Sequence, residues 1–208
     1  MTLVIAILMK DPADAKTRLA TALSQQQRER LALRMFENTL TFFRSFVPAT
    51  PLLVVTPSDR ISRIARHAGA NVVHDDANGD INAAARCARD WAIAAGATAL
   101  TLVHADIPIL RQREFDTFLD ACEDHKVVIA TSVDGGTNAI FVTPPDAIPF
   151  AFGPGSAEKH AGAARSKGLA VKTVSAFFMS RDIDHPQDLR LCSRVLAWQR
   201  PVSSRLLS

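Results

Sequence analysis

Leu3-Val-Ile-Ala-Ile-Leu8, followed by Lys10-Asp-Pro-Ala-Asp-Ala-Lys-Thr-Arg18, is the stretch on which the fold turns. An apolar run without alternation reads as a strand buried on both faces, the kind found in parallel sheets flanked by helices. In such sheets ligands bind beyond the carboxyl ends of the strands. The loop behind this strand carries the cations Lys10, Lys16 and Arg18. Near the start of a helix they would clamp a triphosphate. The GxxxxGK[ST] pattern of a P-loop is absent, and on spacing alone a solvated basic loop explains the segment equally well.

Outward from this stretch, strands and helices alternate at short intervals. Ser24 with Gln27 forms a capping-box signature, and Leu31, Met35, Leu40, Phe43 and Phe46 keep helical spacing behind it. Leu52–Val55 predicts a second strand, and Ser58 a helix that Gly69 stops. Asn71–His74 predicts a third strand, Ile81–Ala95 an Ala-rich helix ended by Gly96, and Ala99–Val103 a fourth strand. An amphipathic helix is expected near Glu114–Cys122, then strands at Val127–Ala130 and Ala139–Val142 around the Gly135-Gly136 turn. A helix up to Lys167, a strand at Ala170–Val174 and a last helix after Pro186 complete the pattern. This is an α/β chain with a parallel-rich sheet covered on both faces. It is expected to form one domain over residues 1–198 with a polar tail at 199–208.

Composition narrows the function. The chain has 208 residues, 48% hydrophobic and 22% charged, as expected of a globular protein. The run at Leu3–Met9 is too short to cross a bilayer and lacks the flanks of a secretory leader, so a cytoplasmic location and no membrane partner are expected. Cys87, Cys122 and Cys192 are scattered without CxxC spacing, which argues against disulfides and zinc. The net charge of +3 is slight and the basic residues lack interleaved aromatics, so no nucleic-acid partner is expected.

Four further segments carry chemistry. In Asn78-Gly79-Asp80-Ile81-Asn82-Ala83-Ala84, Asn82 is a candidate to read a nucleobase edge, although an ordinary helix cap would give the same pattern. Asp106, in His104-Ala105-Asp106-Ile107-Pro108 at a strand end, is well placed to hold Mg²⁺ against phosphates; it could equally initiate a helix. Asp134-Gly135-Gly136-Thr137-Asn138 and Phe152-Gly153-Pro154-Gly155-Ser156 both expose backbone N–H groups beside a hydroxyl, as anion sites do. His160 lies one turn into the helix that follows. In Arg181-Asp182-Ile183-Asp184-His185-Pro186, carboxylates at i and i+2 of an extended segment point the same way. They could share a metal with Asp106, or Asp184 could cap the final helix.

Together these words resemble the 2-phospho-L-lactate guanylyltransferase family, which makes a precursor of the deazaflavin coenzyme F-420. The matching residues are Ala15-Lys-Thr-Arg-Leu-Ala20, Asn82-Ala-Ala84, Ala105-Asp-Ile-Pro108, Asp134-Gly-Gly-Thr-Asn-Ala139, Ile148-Pro-Phe150, Phe152-Gly-Pro-Gly-Ser156 with His160, and Asp182-Ile-Asp184. The resemblance implies a three-layer, glycosyltransferase-A-like nucleotidyltransferase fold, Mg²⁺, GTP as donor, and a phosphorylated three-carbon acid as acceptor: 2-phospholactate, phosphoenolpyruvate or 3-phosphoglycerate. It places metal ligands at Asp106 and at Asp182 or Asp184, and acceptor contacts at Lys16, Thr137 and Ser156, joined by Asn138, Gly153, Gly155 and His160. Lys10, Lys16, Arg18, Asn82 and Ala83 would serve the nucleotide, with Lys16, Arg18 and Asp106 at the chemistry. A homodimer is compatible with the family. The chain departs from it at Asp80, where glycine is usual, and at His104, where proline is frequent. The alternative is a related nucleotidyltransferase for a sugar phosphate or a molybdopterin-like acceptor, which would normally begin LAAGxSxRMG; the segment Met9–Leu19 lacks those glycines.

Overall fold

A computed structural model describes residues 1–75 and 79–190. The strands are β1 (Leu3–Leu8), β2 (Leu52–Thr56), β3 (Asn71–His74), β4 (Ala99–His104), β5 (Val127–Thr131), β6 (Thr137–Val142) and β7 (Val171–Val174). The helices are α1 (Gln25–Phe46), α2 (Asp59–His67), α3 (Ile81–Ala94), α4 (Gln112–Asp124) and α5 (Ser156–Ser166). They form a seven-stranded sheet in the order β3-β2-β1-β4-β6-β5-β7. Every neighbouring pair is parallel except those of β6, which runs against both β4 and β5. The mostly parallel mixed sheet read from the sequence is therefore present.

The strand pleat decides the layers. Along β1, Ile5 and Ile7 enter a core with α1, α2 and α4, while Val4, Ala6 and Leu8 enter the opposite core with α3 and α5. The two cores differ in filling. The α1–α4 side sets Phe42, Phe43 and Phe46 edge-to-face with Phe115, with ring centroids 5.0–5.9 Å apart. The α3–α5 side is built on Ala84, Ala85, Ala88 and Ala92 with Ala157, Ala161 and Ala164, so these helices approach the sheet closely. Ser24 and Gln27 make the expected capping box at the start of α1.

Element ends differ from the sequence reading by a residue or two, as fraying ends do. The expected last helix begins as a 3₁₀ turn at Pro186–Asp188 with Leu189 and Arg190 helical after it. Its remainder, the 199–208 tail, and Asn78 lie outside the described residues. No helix among the described residues is long and apolar enough to cross a membrane.

Candidate active site

The chain leaves β1 for β2 on one side and returns through β4 on the other, which makes the β1/β4 junction the topological switch point. A cavity of about 310 Å³ opens there, lined by Met9, Lys10 and Lys16 after β1, Pro57 after β2, Asp75 after β3, and Asp106 after β4, with Asp184 joining from the far end of the chain. Its size suits a small-molecule ligand.

The loop after β1 folds back through a short 3₁₀ turn, Pro12–Asp14, capped by the Asp11 carboxylate accepting from the Ala13 amide at 2.8 Å. Lys16 follows at φ +56°, the one described non-glycine residue in the left-handed region. That conformation costs on the order of 1–2 kcal/mol, and here it sends a long side chain inward. Lys16 is 7% exposed, and its ammonium donates to Asp106 Oδ2 and to Asp184 Oδ1, both at 2.9 Å. Burial alone would strip its proton, but the two carboxylates hold it on and raise its pKa. Burial alone would likewise raise the Asp106 carboxyl, and the Lys16 charge outweighs it, holding Asp106 at about 2. Arg18, largely exposed, reaches Asp184 Oδ2 at 3.3 Å. The expectation that Lys16 faces a phosphate is thus met by another arrangement: with both partners within reach, the ammonium turns to carboxylates.

Asp106, Asp182 and Asp184 each offer an oxygen within 4.8 Å of the others. Of the two carboxylates between which the sequence left the choice, Asp182 and Asp184, both bring an oxygen within that distance of Asp106. Burial, then the charges of Asp106 and Asp184, push the Asp182 carboxyl up to about 6. Asp106 Oδ1 is buried without a hydrogen-bond partner. A set of hard oxygen donors with one buried oxygen unsatisfied fits a divalent ion such as Mg²⁺. His104 stands beside it, Nδ1 at 3.8 Å from Asp106 Oδ1, and burial lowers its pKa.

The acidic segment is pinned from three sides. Ile183, between the two aspartates, is 1% exposed and packs with Leu19 and Met35. The Glu114 carboxylate on α4 accepts from the Phe178 and Met179 amides at 3.0–3.1 Å. The Asn138 amide donates to the Met179 carbonyl at 2.9 Å. Asn138, expected at the acceptor, is buried and uses its Nδ2 to hold this segment. Glu114 had been legible only as part of an amphipathic helix, because nothing in its own neighbourhood indicates a partner 64 residues away.

Across the edge, the tight turn before β6 and the entry to α5 meet: the Ala157 amide donates to the Gly135 carbonyl at 3.2 Å. A Cβ at Gly136 would lie 2.6 Å from Ser132 Oγ, so a side chain there would push that hydroxyl from its place. Ser132 also donates a short bond to Asp134, the main cause of that carboxyl's lowered pKa. Gly153 (φ +123°) and Gly155 (φ +66°) are exposed and bring the chain into α5. Behind them Thr137, Ser156 and His160 form one buried network. The Ala151 amide donates to His160 Nε2 at 2.9 Å. The neutral ring, whose pKa burial lowers to about 4, therefore carries its proton on Nδ1 and donates to Thr137 Oγ1 at 3.1 Å. Ser156 also donates to Thr137 Oγ1, at 3.0 Å. With two donors arriving, the Thr137 hydroxyl hydrogen is left for a third partner.

Asn82 turns to the loop before α5. Its Oδ1 accepts from the Phe152 amide at 2.7 Å and its Nδ2 donates to the Phe152 carbonyl at 3.3 Å, so it brackets the backbone of one residue and does not line the cavity. Of the Asn82-Ala83-Ala84 word, Ala84 lines the cavity and Ala83 does not. Asp75, which does line it, carried no signal in the sequence beyond following a strand.

Residues 2–192 match the sequence model of the family described as guanylyl transferase CofC like. The chain belongs to that family. CofC-like relatives include a 3-phospho-D-glycerate guanylyltransferase of Colwellia psychrerythraea, 39% identical over 90% of this chain and 89% of its own. A phosphoenolpyruvate guanylyltransferase of Sphaerobacter thermophilus is 33% identical over 91% of each chain. A 2-phospho-L-lactate guanylyltransferase of Methanothermobacter thermautotrophicus is 29% identical over 84% of this chain and 77% of its own. Among solved structures, a nucleotidyl transferase from Methanothermobacter thermautotrophicus superposes with a TM-score of 0.69 at 16% identity, covering 95% of this chain and 99% of that one. A protein of Desulfovibrio desulfuricans provisionally placed among nucleotide-diphospho-sugar transferases gives 0.73 at 17% identity over 93% and 87%. These two likenesses support the nucleotide-diphospho-sugar-transferase-like fold of the CofC-like family.

Proposed function

We propose that this CofC-like guanylyl transferase joins the GMP part of GTP to the phosphate of a phosphorylated three-carbon acid, releasing pyrophosphate. The observation that carries the reading is the convergence of Asp106, Asp182 and Asp184 with the Lys16 ammonium at the switch-point cavity, which Lys16, Asp106 and Asp184 line. Cations and carboxylates gathered there serve one task, bringing two anions together.

In this mechanism an oxygen of the acceptor's phosphate attacks the α-phosphorus of GTP in line, and the bond to the β-phosphate oxygen breaks. The attacking phosphate is already ionised, so no general base is needed. Asp106, Asp182 and Asp184 would hold Mg²⁺, which supplies charge neutralisation and orientation to the phosphates when bound. Lys10, Lys16 and Arg18 neutralise the triphosphate. For Lys16 this means exchanging its carboxylate partners for phosphate oxygens once other positive charge serves the carboxylates. The free Thr137 hydroxyl hydrogen and the amides of Gly153 and Gly155 grip the acceptor, with Ser156 and His160 fixing Thr137.

The relatives act on 3-phospho-D-glycerate, phosphoenolpyruvate and 2-phospho-L-lactate by name, and the same three are proposed as candidate acceptors here, their product feeding the deazaflavin coenzyme F-420. A pyrophosphate-release assay crossing the four nucleoside triphosphates with these acceptors tests the reading. Turnover with GTP and one of the three supports it; turnover only with a sugar phosphate or a pterin would overturn it.

A further inference from the structure

The chain's own cations already occupy the acid cluster. Both oxygens of Asp184 are taken, Oδ1 by the Lys16 ammonium at 2.9 Å and Oδ2 by the Arg18 guanidinium at 3.3 Å. Lys16 also takes Asp106 Oδ2 at 2.9 Å, and its side chain is 5% exposed. Of the oxygens on Asp106 and Asp184, Asp106 Oδ1 alone is without a hydrogen-bond partner. A divalent ion held by Asp106, Asp182 and Asp184 therefore competes with two side chains for the same atoms. Around an ammonium so shielded from water, repulsion between it and an ion on shared ligands is weakly screened. Asp184 can serve such an ion only as Lys16 or Arg18 lets go.

We propose that Lys16, helped by Arg18, is a gate on the metal site: it holds the carboxylates closed until a nucleoside triphosphate draws both side chains away, so that metal and nucleotide load as a coupled pair. This deepens the guanylyltransferase reading and rests on it for the triphosphate. Lys16 lines the cavity beside Lys10, so the exchange asks for a turn of a side chain and leaves the sheet in place. Phosphate oxygens compete for the ammonium while the ion takes over the carboxylates, and every charge stays matched. Linkage makes the effect mutual, since the factor by which the triphosphate raises metal affinity is the factor by which the metal raises triphosphate affinity. A Lys16 that merely braced the cluster would behave in the opposite way. Its loss would loosen the carboxylates and weaken metal binding, whereas loss of a gate strengthens it.

The test is Mn²⁺ affinity of the full chain, with and without GTP. It is read by water-proton relaxation, which tells the protein-bound ion from the ion on free nucleotide. Without nucleotide, Lys16→Met should bind Mn²⁺ roughly tenfold more tightly than wild type, within the usual range of coupling between sites. Arg18→Gln, a change at a side chain 66% exposed, should move the affinity the same way by a smaller factor. GTP should then raise the wild-type affinity by a factor roughly tenfold larger than it raises that of Lys16→Met. Direct bonds between ion and triphosphate occur in both proteins and cancel in this ratio. Lys16→Met binding Mn²⁺ no more tightly than wild type would overturn the gate. If that variant does not fold, an Arg18→Gln affinity at or below the wild-type one would overturn it instead. An equal effect of every triphosphate on wild type and variant would also overturn it, even with GTP turnover on one of the three acceptors. Tightening in the variants, with the larger wild-type effect coming from another nucleoside triphosphate and none from GTP, would keep the gate and remove the guanylyltransferase reading.

Discussion

The Lys16 ammonium lies between Asp106 and Asp184, where a divalent ion would also be drawn. Lys16→Met should lower the stability of the metal-free protein by about 1–3 kcal/mol. The cost stays below that of a fully buried pair because each carboxylate keeps about a third of its surface in water. Urea unfolding with and without Mn²⁺ checks this: the ion should restore more stability to the variant than to wild type. Asp106→Asn acts on the chemistry itself. It should cut pyrophosphate release by about two orders of magnitude or more, with Mn²⁺ affinity falling alongside. Wild-type turnover in this variant would sink the metal assignment.

Among the elements, α4 and α5 act at a distance from the phosphates. Glu114 on α4 accepts from the Phe178 and Met179 amides, a few residues ahead of Asp182. Glu114→Ala should weaken Mn²⁺ binding by roughly 10-fold or more, as loss of a supporting contact does. Unchanged affinity would show that Ile183 and Asn138 suffice to hold the segment. On α5, His160 is neutral when folded, with a pKa near 4 against 6.5 unfolded. Between those values the unfolded chain binds more protons, so this histidine's contribution is complete above pH 6.5 and is lost as pH falls towards 4. Gln at this position offers an acceptor and a donor but does not titrate. The difference in unfolding free energy between wild type and His160→Gln should therefore shift against wild type on going from pH 7 to pH 5. A constant difference would mean that the ring titrates in the fold as it does in the unfolded chain.

At the scale of the whole molecule, the Asn82–Phe152 clamp joins the helix that follows β3 to the loop that precedes α5, 70 residues later. Asn82→Ala leaves a peptide N–H and C=O without partners, at a cost of about 1–3 kcal/mol. Hydrogen exchange at Phe152 should rise; an unchanged rate would mean that water replaces the amide without loss. This clamp also marks what the sequence could show. The apolar runs at Leu3–Leu8 and Ala99–Val103, the Ser24 cap and the stops at Gly69 and Gly96 are local signals, so the layered fold and its strand ends were legible. Asp106, Asp182 and Asp184 were legible as acids in the right kinds of loop, and i, i+2 spacing put the last two on one side. The partners of Asn82, Asn138 and Lys16 were not legible, because an amide or ammonium looks the same whether it faces a ligand or a peptide 40 or 70 residues on. Asp75 reaches the cavity lining, and Glu114 the acidic segment, through tertiary contact alone.

The reversal of β6 has a consequence for how such a protein can diverge. The Lys16, Asp75 and Asp106 segments sit on crossovers, whose ends cannot shift without carrying a helix and its Phe or Ala packing with them. The Gly135-Thr137 segment arrives on a hairpin turn, because its strand runs the other way. Residues in a hairpin can be exchanged while the sheet and both cores stay in place. On the proposed placement of the acceptor at this hairpin, acceptor choice can drift among descendants of one ancestor while the nucleotide site stays fixed.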